Sequence, residues 1–122
     1  PGRTGEGGVS LFARYPELQR SPSINFVAIN RAAMAVLPAL LARWLPDGKR
    51  IGREFVARNP TRADRAPGSF KVVISGGRAG SWADFATGDR GGDPVSLAAY
   101  LHNKSQGEAA RALADMLGVP HD

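Results

Sequence analysis

The chain contains no cysteine and only two histidines, His102 and His121, among its 122 residues. The lack of cysteine excludes disulfides, thiolate catalysis, iron–sulfur clusters and cysteine-ligated zinc. Two histidines, one of them the penultimate residue, argue against a histidine metal site or a catalytic triad. No apolar run approaches the roughly 18–20 residues of a membrane span, and no signal-peptide pattern is present. We therefore expect a cytoplasmic, single-domain protein without a cofactor; its first methionine, Met34, predicts a piece of a longer chain.

The positive charge is concentrated in the middle of the chain. The net charge is +5, and residues 43–90 carry all of it, with ten Lys or Arg against five Asp or Glu. Most of these cations are arginines, which suit phosphate and base-plane contacts better than lysines do. A positive centre between neutral flanks indicates a polyanionic partner, although an ordinary soluble surface has the same composition.

The pattern of apolar residues predicts one α+β domain over residues 24–122. The preceding residues 1–23 are rich in Gly, Pro, Ser and Arg, which predicts a disordered arm or linker. Apolar side chains recur every three or four residues from Phe26 to Trp44, which predicts one helix that either bends or loses a backbone hydrogen bond at Pro38. Residues 49–58 read as a short, partly exposed strand. Residues 69–75 and 81–86 alternate as strands do and flank a glycine turn, which predicts a β-hairpin.

Two helices are predicted after the hairpin. Asp93 followed by Pro94 is a typical helix start, and this helix should run to about His102. Ser105 and Glu108 have the spacing of a capping box for a last helix, which Gly118 should end. The predicted fold is therefore a small three-stranded antiparallel sheet packed with one N-terminal and two C-terminal helices.

Neither glycine-rich segment has the context of a nucleotide-binding loop. Residues 76–80 lie between two strands, whereas a dinucleotide fingerprint joins a strand to a helix, so a hairpin turn is favoured. Residues 88–92 precede a helix start, where backbone amides can hold a phosphate. Asp93, as the predicted cap, would compete for the same amides.

Arginines and aromatic residues alternate around the predicted hairpin. Aromatic faces and guanidinium groups on a small sheet form a platform for single-stranded nucleic acid. The alternative is that the aromatics fill the core, which we favour for Phe70. Trp82 and Phe85 are three residues apart on a strand and should point to opposite faces; Trp82 is the stacking candidate. The predicted nucleic-acid contacts are Arg58, Arg62, Arg65, Lys71, Arg78, Trp82 and Arg90.

Residues 58–118 resemble the N-terminal zinc-ribbon domain of bacterial, phage and plasmid DNA primases. The resemblance rests on the segments NPTRADRAPGSFKV, GSWADFATGDRGGDPVSLAAYL and SQGEAARALADMLG. The family has a Cys-Pro step, a Ser-Phe strand, an aromatic before Cys-x-x-Cys, a Gly-Gly turn and two helices. Its domain contacts template DNA, so the resemblance implies DNA binding here.

The four zinc-ligand positions of that family read Asn59, Arg62, Asp84 and Thr87 in this chain, and none is Cys or His. The frame of a zinc ribbon therefore has to be held without zinc. If the frame is kept, these four side chains converge and replace the metal structurally. We expect an Arg62–Asp84 salt bridge with Asn59 or Thr87 hydrogen-bonded to it.

Together these features predict a non-catalytic DNA-binding module of a primase or primase–helicase-like protein from a mobile element. Its partners would be template or single-stranded DNA and the rest of a primase or helicase polypeptide, with no membrane. An enzyme is disfavoured because no nucleophile–base pair can be assembled. The alternative is a protein-interaction module, in which the N-terminal arm and the first helix dock a replication or transfer partner.

Overall fold

The computed structural model describes residues 24–63 and 68–121. The predicted arm at residues 1–23 and the predicted contact Arg65 lie outside these ranges. The described elements are, in chain order, α1 (Phe26–Ala35), α2 (Leu37–Trp44), β1 (Lys49–Ile51), β2 (Glu54–Ala57), β3 (Phe70–Val73), β4 (Trp82–Asp84), β5 (Arg90–Gly91), α3 (Pro94–His102) and α4 (Gln106–Leu117). The α+β class is as predicted, but the numbers of strands and helices differ from the prediction.

The single N-terminal helix predicted from the sequence is two helices, α1 and α2. They meet at Val36 and are bent by 84°. Pro38 lies in the first turn of α2, where its missing N–H costs no hydrogen bond, so it begins a new helix. Among the described residues, no single helix is long and apolar enough to cross a membrane. Only α1 and α2 taken together have that length and apolarity, and they are bent at their junction.

The sheet has five antiparallel strands in the order β1-β2-β3-β4-β5, so the predicted three-stranded sheet is wrong. Residues 49–58 form a hairpin, because Gly52 has a φ of 63° and turns the chain between β1 and β2. The predicted loop at residues 87–92 contains β5, whose Arg90 and Gly91 pair with Ala83 and Trp82. Two residues are too few to show strand alternation in a sequence.

The two faces of the sheet have different environments. The register aligns Ala57, Phe70 and Asp84 across three strands, and Phe55, Val72 and Trp82 beside them. This inner face packs against α2 and α3, and it forms one core with Leu37, Leu41, Leu45 and Leu97. The outer face carries the alternate residues, among them Glu54, Lys71, Val73, Ala83 and Arg90.

A second apolar cluster joins the four helices to one another. Ile29 and Ala33 of α1 pack with Leu40, Val95, Ala110, Leu113 and Ala114. On α4 the apolar side chains of Ala109, Ala110, Leu113 and Ala114 are buried, whereas Met116 is 47% exposed. Helix packing on the inner face leaves the outer face of the sheet as the surface on which charged residues gather.

The predicted caps of α3 and α4 are confirmed. The Asp93 carboxylate accepts a hydrogen bond from the Ser96 amide in a capping box, with Pro94 in the first turn. Ser105 and Glu108 form the second capping box, and Gly118 ends α4 with a φ of 73°. These local rules hold because each cap satisfies helix amides that have no partner within the helix.

Candidate nucleic-acid interface

The predicted salt bridge between Arg62 and Asp84 is confirmed, and it is bidentate. Arg62 Nε lies 2.8 Å from Asp84 Oδ2 and Arg62 Nη2 lies 3.3 Å from Oδ1. Asn59 Nδ2 donates to the same Oδ2 at 2.8 Å. We call Asn59, Arg62 and Asp84 the Asp84 cluster. It ties the loop after β2 to the end of β4, so three of the four positions that were expected to converge do so.

Asp84 is completely buried, and its charge is stabilised by its neighbours. Besides the two side chains of the cluster, the Ala86 amide donates to Oδ1 at 2.8 Å. The hydrogen bond from Arg62 lowers the pKa of Asp84 to about 2, against the raising effect of burial and with further lowering by Asn59 and Ala86. A buried carboxylate with four donated hydrogen bonds is therefore ionised throughout the neutral range.

Thr87 does not join the cluster. Its side chain is exposed, and its hydroxyl accepts a hydrogen bond from the Asp89 amide within the turn. Tyr100 contacts the cluster instead, and the sequence did not predict this contact. The Tyr100 hydroxyl accepts a hydrogen bond from Asn59 Nδ2 at 2.8 Å and donates one to the Asp89 carboxylate at 2.8 Å. Tyr100 is 41 residues from Asn59 in the sequence, so only the fold brings the two together.

The structure also corrects the role expected of Trp82. Its side chain belongs to the inner face, is 5% exposed and donates its indole N–H to Ser96 Oγ at 2.9 Å. The indole needs the space beside Gly91, since a Cβ at Gly91 would come within 2.5 Å of Trp82 Nε1. A buried ring cannot stack on a base. Phe85 is the exposed aromatic instead, at 69%.

Two of the predicted arginine contacts have protein partners. Arg62 is held in the Asp84 cluster, and its Nη2 also donates to Ser69 Oγ at 3.0 Å. Arg58 is half-exposed and lies 3.6 Å from Asp47. Arg62 is therefore a structural residue here, and Arg58 has a competing carboxylate.

The other three predicted cations, Lys71, Arg78 and Arg90, line one groove. This groove has a volume of about 560 Å³ and runs over the outer face of β3 and β4. Arg78 and Arg90 are exposed, and neither is paired with a carboxylate of the described residues. Glu54 also lines the groove and lies 3.9 Å from Lys71. Of the charged side chains of the groove that are not buried, three are thus cationic and one, Glu54, is anionic.

Phe85 provides an aromatic surface at one end of this groove. The Lys71 ammonium lies 5.5 Å from the centre of the Phe85 ring, within the distance for a cation–π contact. The turn that carries Phe85 is held by the Asp84 main chain, whose carbonyl accepts from the Gly88 amide at 2.8 Å. The outer face therefore combines cations with one exposed ring; we call Lys71, Arg78, Phe85 and Arg90 the groove residues.

The start of α3 is not available to an anion. Pro94 has no amide hydrogen, and the Val95 amide donates to Asn30 Oδ1 at 2.9 Å. The Ser96 amide donates to the Asp93 carboxylate, and the Leu97 amide to the Asp93 carbonyl. All the first-turn amides of α3 that carry a hydrogen therefore donate to acceptors within the protein. As expected, the Asp93 cap occupies amides that a phosphate would need.

Neither the protein-family models nor the curated proteins give a match to this chain. Within residues 24–63 and 68–121, no three His, Cys, Asp or Glu side chains are placed to hold a metal ion. The groove and the Asp84 cluster are therefore the features of the chain that bear on its function.

Proposed function

We propose that the protein is a non-catalytic module that binds single-stranded or template DNA along the outer face of its sheet. The observation that carries the proposal is the groove itself, which is lined by Lys71, Arg78, Arg90 and the exposed ring of Phe85. Cations that follow the backbone and an aromatic ring that stacks on a base are the two components of single-strand binding sites. The resemblance to primase zinc ribbons, in a version without zinc, supports the same function.

The proposed setting is a primase or primase–helicase-like protein of a mobile element, in the cytoplasm. In that setting the module would contact template DNA, and the chemistry of priming would belong to another domain. The groove offers side chains that bind phosphate and bases, which is what positioning a template requires.

The test is a titration of the protein with a fluorescent oligothymidylate of twelve nucleotides at several salt concentrations. Each neutralised phosphate of a single strand contributes a slope of about −0.7 to the plot of log K against log salt, so three cations predict about −2. The variants Arg78→Gln and Arg90→Gln should each reduce the affinity and the slope. Arg31→Gln is the matched control, because Arg31 is an exposed arginine on α1.

The variant Glu54→Gln should change the DNA affinity in the opposite direction from the arginine variants. Glu54 lines the groove and competes with phosphate for Lys71, so its neutralisation should strengthen binding. The proposal is wrong if the wild type does not bind at low salt, or if its affinity is the same from low to moderate salt. It is also wrong if the groove variants and the Arg31 control lose affinity equally.

A protein-interaction function remains the second candidate, because α1 exposes apolar side chains. Phe26 is 38% exposed and Val27 67% exposed, and Val36 at the end of the helix is 39% exposed. In this function α1 would dock a replication or transfer partner. For this function, Val27→Asp should abolish binding of the protein partner and Arg78→Gln should leave it unchanged. For DNA binding the reverse is expected, with affinity reduced by Arg78→Gln and unchanged by Val27→Asp.

A further inference from the structure

The groove continues beyond Arg78 into a second depression at the end of the sheet. This depression has a volume of about 350 Å³ and is lined by Arg53, Ser75, Gly76 and Gly77. Glu54, Val73 and Arg78 line both the depression and the groove, so the two are continuous. Arg53 is in the turn between β1 and β2, and it was not among the residues predicted to contact nucleic acid.

The fold brings the Arg53 turn and the glycine loop to the same end of the sheet. β2 and β3 are antiparallel and Glu54 pairs with Val73, so the start of β2 lies beside the end of β3. The Ile74 amide donates to the Arg53 carbonyl at 2.8 Å, which joins the two segments directly. Arg53 and Arg78 therefore flank one depression from two different loops.

The guanidinium of Arg53 lies over Gly76. A Cβ at Gly76 would come within 3.2 Å of Arg53 Nη1, and Gly76 has a φ of +90°, which favours glycine. The amides of Gly76 and Gly77 donate to no backbone carbonyl of the described residues. Backbone amides in such a turn, with two guanidinium groups beside them, suit a phosphate.

We infer that Arg53, Arg78 and the Gly76–Gly77 turn form a second phosphate subsite, so that the ligand is a strand of several nucleotides rather than a mononucleotide. The inference rests on the proposed function and specifies the length of its ligand. Ser81 and Phe85 lie just before and just after β4, which places them roughly 13 Å apart at about 3.3 Å per strand residue. At about 3.4 Å per stacked nucleotide, this distance corresponds to about four nucleotides before the Arg53 subsite is reached.

The experiment compares wild type, Arg53→Gln and the control Arg31→Gln on oligothymidylates of two, four, eight and twelve nucleotides. In wild type, affinity should rise up to lengths that span both the groove and the second subsite. On the twelve-nucleotide strand, Arg53→Gln should weaken binding about fivefold at 0.1 M salt and reduce the magnitude of the salt slope by about 0.7. On the dinucleotide it should change little, because Phe85 and its neighbouring cations hold so short a ligand.

The outcomes separate this inference from the function on which it rests. If wild type binds the twelve-nucleotide strand and Arg53→Gln binds it equally well, the second subsite is refuted and the groove stands. If Arg53→Gln weakens the dinucleotide and the long strand by the same factor, the inference also fails, because Arg53 then contacts the same phosphate as the groove. If wild type binds no strand at low salt, the proposed function itself is refuted.

Discussion

Replacement of Asp84 by Asn tests whether the Asp84 cluster holds the loops together. The side chain keeps its size but loses its charge, and one of its two oxygens becomes an NH₂ group. Both oxygens of Asp84 accept hydrogen bonds from two donors each. In Asp84→Asn, one pair of donors therefore faces another donor, and the Arg62 guanidinium loses its anion.

The expected loss in the free energy of unfolding is about 3 kcal/mol. The pKa of Asp84 is lowered from 3.8 to about 2, and this difference corresponds to about 2 kcal/mol of preference for the charged form. The buried donors left without an acceptor add about 1 kcal/mol or more. The sum lies at the lower end of the ~3–5 kcal/mol for breaking a buried ion pair, as expected when Arg62 is 32% exposed.

The assay is urea denaturation at pH 7, followed by the fluorescence of Trp82 and Trp44. Asp115→Asn is the matched control, because Asp115 is 72% exposed and its bridge to His121 should contribute only about 0–1 kcal/mol. A loss of less than about 1 kcal/mol in Asp84→Asn, or a loss equal to that of the control, would refute the argument. Equal slopes of the unfolding free energy against urea would show that the variants share one unfolded state.

Three further results are expected. Because the folded pKa of Asp84 is lowered, its contribution to stability is complete above about pH 5 and is lost as the pH falls through about 2, so acid titration of wild type should show a loss that Asp84→Asn lacks. Elemental analysis should find no stoichiometric zinc, and a chelator should leave the Tm unchanged; a chelator-sensitive melt would contradict the metal-free frame. Phe85→Ala should reduce single-strand affinity by about 1–3 kcal/mol with little loss of stability, whereas Trp82→Ala should mainly destabilise the fold.

The parts of the fold that depend on local rules were predictable from the sequence. The Asp93 and Ser105 caps, the Gly118 terminus and the 69–86 hairpin each depend on residues within a few positions of one another. The missed elements have weaker local signals. β5 has only two residues, and the Gly52 turn interrupts a segment too short for two strands to be recognised.

The Arg62–Asp84 bridge was predicted by assigning these two distant residues to zinc-ligand positions of the primase family, but Thr87, assigned in the same way, does not join them. No such information existed for Tyr100, which enters the cluster from α3. The choice of Trp82 rather than Phe85 as the exposed ring was wrong for a similar reason. Strand alternation shows that they point to opposite faces, but only the packing of α2 and α3 on one face decides which ring is buried.

The Asp84 cluster and the groove are mechanically connected, which gives a last prediction. Asp84 holds the turn that carries Phe85, since its carboxylate accepts from the Ala86 amide and its carbonyl from the Gly88 amide. Near a phosphate site, removal of a negative charge ordinarily strengthens binding, and Glu54→Gln should do so. Asp84→Asn should instead weaken binding of single-stranded DNA under conditions where the protein remains folded, because Phe85 loses its fixed position. If both variants strengthen binding equally, the Asp84 cluster acts on the groove only through its charge.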